Sequence, residues 1–345
     1  MGRSQAVSTA QVASSPSASN PVINGAFDIW QRGTSFSLAA STAAASGFLA
    51  DRWQTTTGAN QACTISRQSV SDTTNLPSIQ YCLRYQRNSG QTGTGGLEMT
   101  NTFETANSIP FAGKTVTLSF YARAGANYSP TSSLLAVYLV TGTGTDQNIW
   151  GAGFTGSATP INSTATLTTT WQRFSFTGTV AATVTQMGVD LRMNPTGTAS
   201  TNDYYEVTGV QIDVGTVALP FRRNSGTLQG ELAACQRYYY LVVSNDSRGL
   251  IGGGQYNGST TVDALVPFPT TMRAEPSLVS TTGSNYYIFR ANATDDQFDA
   301  LTIMGEVTTN NGGVYTTSGV SGTSGHGGNL YTGSTSASVA FSAEL

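Results

Sequence analysis

Thr115-Val116-Thr117-Leu118-Ser119-Phe120-Tyr121 alternates hydroxyl-bearing and apolar side chains, the period of a strand with one face in a core and the other in water. The same period returns in Leu135-Ala136-Val137-Tyr138-Leu139-Val140, in Arg173-Phe174-Ser175-Phe176-Thr177 and in Val207-Thr208-Gly209-Val210-Gln211-Ile212. Gly, Asn and Ser separate these runs from Pro21 to Arg223, and no helical period interrupts them. Strands repeated over roughly 200 residues predict a single sandwich or jelly roll.

Composition agrees. The 345 residues include 38 Gly, 39% are hydrophobic and only 10% are charged, so the solvent face is mostly neutral Thr, Ser and Asn. That suits strands, because surface helices usually carry Glu, Lys and Arg. Residues 1–225 hold 12 basic and 10 acidic side chains, and residues 226–345 hold 4 and 9, for a net charge of −3. Neither part has the basic stripe that nucleic-acid binding needs, so no nucleic-acid partner is expected, and an anionic membrane surface is disfavoured for the same reason. No apolar stretch is long enough for a transmembrane helix, so no membrane insertion is expected. Residues 1–20, MGRSQAVSTAQVASSPSASN, lack the apolar core of a signal peptide and read as a polar docking arm. Cys63, Cys82 and Cys235 are odd in number and lack CxxC spacing, which predicts buried free thiols instead of a disulfide framework or zinc site.

The texture changes over residues 224–240. Leu228, Leu232, Cys235 and Tyr239 recur at spacings of four, three and four, predicting a short helical connector with Glu231 and Arg237 off its apolar stripe. From 241 to 345 strand signals return, in Val262–Phe268, Tyr286–Phe289 and Ala337–Phe341, and predict a smaller β-sandwich. Residues 307–336, dominated by Gly, Thr, Ser and Asn, read as long loops or a thin exposed hairpin, and Gly252-Gly253-Gly254 and Gly312-Gly313 read as turns.

Catalytic groups are scarce. The one histidine, His326, lies in Gly-Thr-Ser-Gly-His-Gly-Gly with no partner acid at a recognisable spacing, and one imidazole does not make a catalytic zinc site. Asp295, Asp296 and Asp299, with Asn292, do not match a helix-loop-helix calcium loop and read as a solvated turn. No Gly-rich segment opens a helix after a strand, so no nucleotide cofactor is expected. Non-enzymatic function follows as the expectation. Trp30, Trp53 and Trp171 read as core or rim anchors. Trp150, in the polar run Asp146-Gln147-Asn148-Ile149-Trp150-Gly151, is the ring expected to be exposed, with Tyr128 and Tyr315 as further candidates for stacking on a sugar.

Longer motifs then come into register. Asn24-Gly25-Ala26-Phe27-Asp28-Ile29-Trp30-Gln31-Arg32-Gly33-Thr34-Ser35-Phe36 and Ala50-Asp51-Arg52-Trp53 resemble the opening of a carbohydrate-binding-like jelly roll of tailed-bacteriophage virion proteins, of tail-fibre or decoration type. The resemblance continues through Gly113–Gly125, Thr170–Phe176, Thr208–Gly215, Pro220–Arg223 and Cys235–Tyr239, covering roughly residues 21–240 in the family's order. It implies a virion location after assembly in the host cytoplasm, a homotrimer and host-surface attachment, and it does not imply catalysis. The arm at residues 1–20 would bind other virion proteins, and host-surface glycan is the implied external partner. Related modules carry a structural calcium, which Asp28, Asp203, Glu206 or Asp213 would hold here. A dedicated glycan-binding adsorption module is the alternative, and a polysaccharide depolymerase a remoter one, since the chain lacks β-helix repeats and acid pairs.

Overall fold

The computed structural model describes residues 20–41 and 45–345. The predicted docking arm lies outside the described residues except for Asn20, which belongs to the first module. Asn20 is buried: its amide donates to the carbonyls of Val210 and Arg222, and its Oδ1 accepts from Val22 and Ile212.

Among the described residues the first module has the strands β1 (Ser35–Leu38), β2 (Ala45–Phe48), β3 (Gln54–Thr57), β4 (Cys63–Ser69), β5 (Tyr81–Arg87), β6 (Leu97–Thr102), β7 (Thr115–Ala124), β8 (Leu134–Gly142), β9 (Ala158–Thr166), β10 (Gln172–Thr179), β11 (Gln186–Met193) and β12 (Tyr204–Val214). They form two antiparallel six-stranded sheets. Sheet A is ordered β1-β4-β5-β12-β7-β10 and sheet B β2-β3-β6-β11-β8-β9. From β6 on, the chain crosses from B to A, back to B for β8 and β9, then to A, B and A again. That alternation makes a jelly roll, and its core forms where Ile65, Tyr85, Leu118 and Phe120 of sheet A meet Met99, Val137, Leu139 and Leu191 of sheet B. All four strand runs with two-residue alternation lie within β7, β8, β10 and β12.

The opening motif is a structural hub. Asn24 sits at φ 59°, and its side chain bonds Ile29 N, Ile29 O and Asp51 O, tying the Asn24–Trp30 turn to Asp51-Arg52-Trp53. Trp53 is fully buried against Phe27 at 4.9 Å and donates Nε1–H to Asn24 O; Trp30 and Trp171 are buried too. The three thiols are free and buried, and burial pushes Cys63 up to about 12.

The helix Leu228–Gln236 is capped by Thr227, whose Oγ1 accepts from Gly230 N at 3.1 Å. Its buried face corrects the predicted stripe: Leu228 is 51% exposed, while Glu231 and Cys235 point inward. Glu231 is tolerated there because its carboxylate accepts the backbone N–H groups of Asn24 and Ser225, although burial raises its pKa.

The second module contains β13 (Tyr239–Ser244), β14 (Leu250–Tyr256), β15 (Val262–Pro267), β16 (Ser277–Ser280), β17 (Tyr287–Ala291), β18 (Thr294–Phe298), β19 (Thr302–Ile303), β20 (Asn311–Thr316), β21 (Gly327–Thr332) and β22 (Ser338–Ser342). A three-stranded sheet, β13-β22-β16, shares a core with a seven-stranded sheet, β18-β17-β21-β14-β15-β20-β19. The Gly-rich stretches are strands, contrary to the turn and loop reading. Gly252–Gly254 lie in β14, and residues 307–336 supply β20 and the interior strand β21. Glycine is required at 312, where a Cβ would come within 2.4 Å of the Phe341 ring. Asp295 and Asp296 likewise belong to β18 and not to a turn. Asp295 pairs with Arg248 and Arg290, and Asp296 accepts from Tyr256 Oη and Ser321 N.

Polar contacts join the two modules. The Arg52 guanidinium lies 3.5 Å from the Tyr238 ring centroid and pairs with Glu344, which also binds Arg32 at 3.1 Å. Glu104 accepts from Arg237 and from Tyr238 Oη. Beside Arg32, burial outweighs the arginine and lifts Asp51 to about 6.

Candidate functional site

On the outer face of sheet B two rows of polar side chains run across neighbouring strands. Register places Gln54, Thr100, Asp190 and Tyr138 side by side on β3, β6, β11 and β8, and Thr56, Glu98 and Arg192 in the next row. The sequence folds this way because the alternate residues, Leu97, Met99, Val189, Leu191 and Met193, are claimed by the core. Gln54 Oε1, Thr56 Oγ1, Thr100 Oγ1, Asp190 Oδ1 and Arg192 Nε are buried atoms without a hydrogen bond among the described residues. Buried polar atoms normally find partners, and two of these five residues, Asp190 and Arg192, also line a cleft on this face.

A cleft of about 580 Å³ opens over this face, lined by Glu98, Tyr138, Val140, Ile149, Trp150, Asp190 and Arg192 among others. Trp150 comes from the loop between β8 and β9. The loop folds back onto the sheet: Gln147 N donates to Gln186 Oε1, and Ile149 fills the notch at Gly188, where a Cβ would come within 2.3 Å of Ile149 Cδ1. Gly151 and Gly153, at φ 88° and 71°, supply the left-handed turns. An indole and a phenol thus stand over a floor of donors and acceptors.

Arg192 pairs with Glu98 and, at 3.1 Å, with Asp190, and its guanidinium lies 5.8 Å from the Tyr138 ring centroid. Burial first, and then the adjacent Glu98 carboxylate, raise the Asp190 pKa to about 8 against the pull of Arg192. A protonated Asp190 beside the Arg192–Glu98 ion pair leaves the cleft with little net charge at neutral pH. The arrangement can bind hydroxyl groups in both senses and stack an apolar ring face.

Of the residues singled out in the sequence, Trp150 lines this cleft, half-buried instead of freely exposed. Tyr128 does not reach it: the ring packs on the jelly-roll core, its hydroxyl donates to Leu134 O at 3.1 Å, and burial raises its pKa. Tyr315 lies on β20 of the second module, opposite Asp263 and Thr302. The four acids expected at a calcium site do not converge. Asp28 pairs with Arg223, Asp203 with Arg87, Glu206 with Arg84 and Arg123, and Asp213 with Arg222. Among the described residues no group of three or more His, Cys, Asp or Glu side chains is placed to hold a metal. Arginine supplies the neutralisation that a cation would have supplied. Glu98, Tyr138, Asp190 and Arg192 escaped sequence reasoning; the available signal was charge at alternate positions of Leu97-Glu98-Met99 and Val189-Asp190-Leu191-Arg192-Met193.

No family model matches the chain. No curated protein matches it either. Among solved structures it is similar to a CBM4 structure, with 18% identity over 56% of this chain and 99% of the other and a TM-score of 0.32. It is also similar to the enzymatically active domain of bacteriophage CBA120 tailspike protein 4, with 12% identity, 57% and 21% coverage and a TM-score of 0.33. A third likeness is to the CBM22-1 xylan-binding domain of Paenibacillus barcinonensis Xyn10C, with 12% identity, 55% and 96% coverage and a TM-score of 0.27. At these scores the likenesses carry no functional inference for this chain.

Proposed function

We propose that this chain is a non-catalytic glycan-binding protein displayed on the virion of a tailed phage, with its sugar site in the sheet B cleft. The observation that carries the binding reading is the cleft itself, in which the polar side chains of Glu98, Asp190 and Arg192 are gathered with the Trp150 and Tyr138 rings. The ligand class is a neutral, hydroxyl-rich saccharide, because Arg192 is already neutralised by Glu98 and no other basic residue lines the cleft. Virion display, a homotrimer and attachment through residues 1–20 rest on the resemblance of Asn24–Tyr239 to phage virion proteins. A depolymerase is disfavoured: the sequence lacks the β-helix repeats of such enzymes, and the Glu98 and Asp190 carboxyls are both held by the one guanidinium of Arg192.

Glycan-array binding of the full chain tests the reading. A neutral host polysaccharide should bind, and Trp150→Ala should weaken it by about tenfold or more, as loss of a central aromatic anchor does. No binding to any glycan of the array would return the protein to a purely structural role.

A further inference from the structure

The loop that carries Trp150 is held from both modules. Its first-module contacts are those of Gln147 and Ile149 described above. From the second module, the backbone following β22 reaches it: Leu345 O accepts from Asn148 Nδ2 at 2.9 Å. The same Asn148 side chain turns its Oδ1 to the Trp150 N–H, also at 2.9 Å. One amide therefore bridges the second module to the backbone of the aromatic residue in the cleft. Arg273 holds the segment that makes this contact. Its Nε donates to Ala343 O at 2.8 Å and its Nη2 to Glu344 O at 3.0 Å, while Nη1 lies 3.8 Å from Asp146 Oδ2 in the Trp150 loop itself. Asp146 and Asn148 are thus both tied to the second module, two residues apart.

From this geometry we infer that the second module is a positioning element for the first module's cleft: Arg273 and the Ala343–Leu345 backbone orient Asn148, which sets the pose of Trp150. The inference rests on reading the cleft as the glycan site, but the coupling is physical and exists whether or not a sugar binds. Asn148 and Arg273 are positioning residues and not contacts of the ligand. An amide side chain with both ends engaged keeps one rotamer; with its Nδ2 released it has several, and the Trp150 backbone loses its fixed acceptor.

Acrylamide quenching of tryptophan fluorescence on the full chain reads the coupling without a ligand. Trp30, Trp53 and Trp171 are buried, so the quenchable emission belongs to Trp150, and Trp150→Phe identifies it by difference. Arg273→Ala should raise the quenching constant of that component by about twofold, as release of a docked loop does, with the native circular dichroism spectrum retained. Asn148→Asp retains the acceptor for Trp150 N–H but has no N–H for Leu345 O, and should do the same; it also serves if Arg273→Ala fails to fold. Quenching that stays at the wild-type value in a folded Asn148→Asp protein overturns the inference. Absence of glycan binding alone would instead sink the sugar reading and leave the quenching result standing.

Discussion

Asp190 stands on the outer face of β11 with the Glu98 carboxylate on one side and Arg192 two residues on, and its proton has consequences for stability. Its pKa rises from 3.8 when unfolded to about 8 when folded. The folded state therefore keeps a proton that the unfolded chain releases, and the contribution is full below pH 3.8 and lost as the pH climbs to about 8. Asp190→Asn holds a permanent hydrogen-bond donor and removes that slope. Urea unfolding at pH 5 and pH 9 should show the wild type losing about 4 kcal/mol more than the variant between the two conditions. Equal losses would mean that folded Asp190 does not hold a proton. The same residue-scale logic explains the four acids first assigned to calcium. Fifteen of the sixteen basic residues are arginine, and a planar guanidinium meets a carboxylate through two donors. Arg84 shows this by approaching Glu206 Oε1 through Nε at 2.8 Å and Nη2 at 2.5 Å.

At the scale of elements, β11 and the β8–β9 loop form a unit. Gly188 leaves room on β11 for Ile149, so Gly188→Ala should push the loop off the sheet, since the added Cβ would also come within 2.8 Å of Asn101 O. Overpacking of this kind costs about 1–3 kcal/mol. The expected result is a lowered denaturation midpoint together with increased Trp150 quenching; a lowered midpoint with unchanged quenching would place the strain elsewhere. Strand identity was legible in the sequence wherever one face is apolar, as in β7 and β12, because period two survives any tertiary arrangement. The cleft was not legible, because Glu98, Asp190 and Tyr138 come together only through the pairing of β6, β11 and β8, which no local pattern encodes. β14, β20 and β21 were misread because glycine lowers the strand signal, yet neighbouring rings and backbone require it at 254, 312 and 328. Glu231 shows the opposite failure: a charge off the apolar stripe is normally solvated, but here unsatisfied backbone N–H groups drew it inward.

For the whole molecule the question is whether the two cores unfold together. Each sandwich has its own hydrophobic cluster, so independent unfolding is the default for modules joined through a polar interface. The interface here is polar but not loose. Arg52 is 1% exposed, and its guanidinium is bound by Glu344, by Thr102 O at 2.6 Å and by the Tyr238 ring, so parting the modules leaves a buried cation stranded. Removing one partner of a buried pair costs about 3–5 kcal/mol, enough to couple two cores whose separate stabilities are of similar size. Calorimetry of the full chain should therefore show a single transition. Glu344→Ala leaves Arg52 without its carboxylate and should split it in two, with the first module melting at the lower temperature because the stranded charge belongs to it. One unbroken transition in Glu344→Ala would shift the coupling to the Glu104 contacts with Arg237 and Tyr238, and two transitions in the wild type would show that the clamp does not join the cores at all.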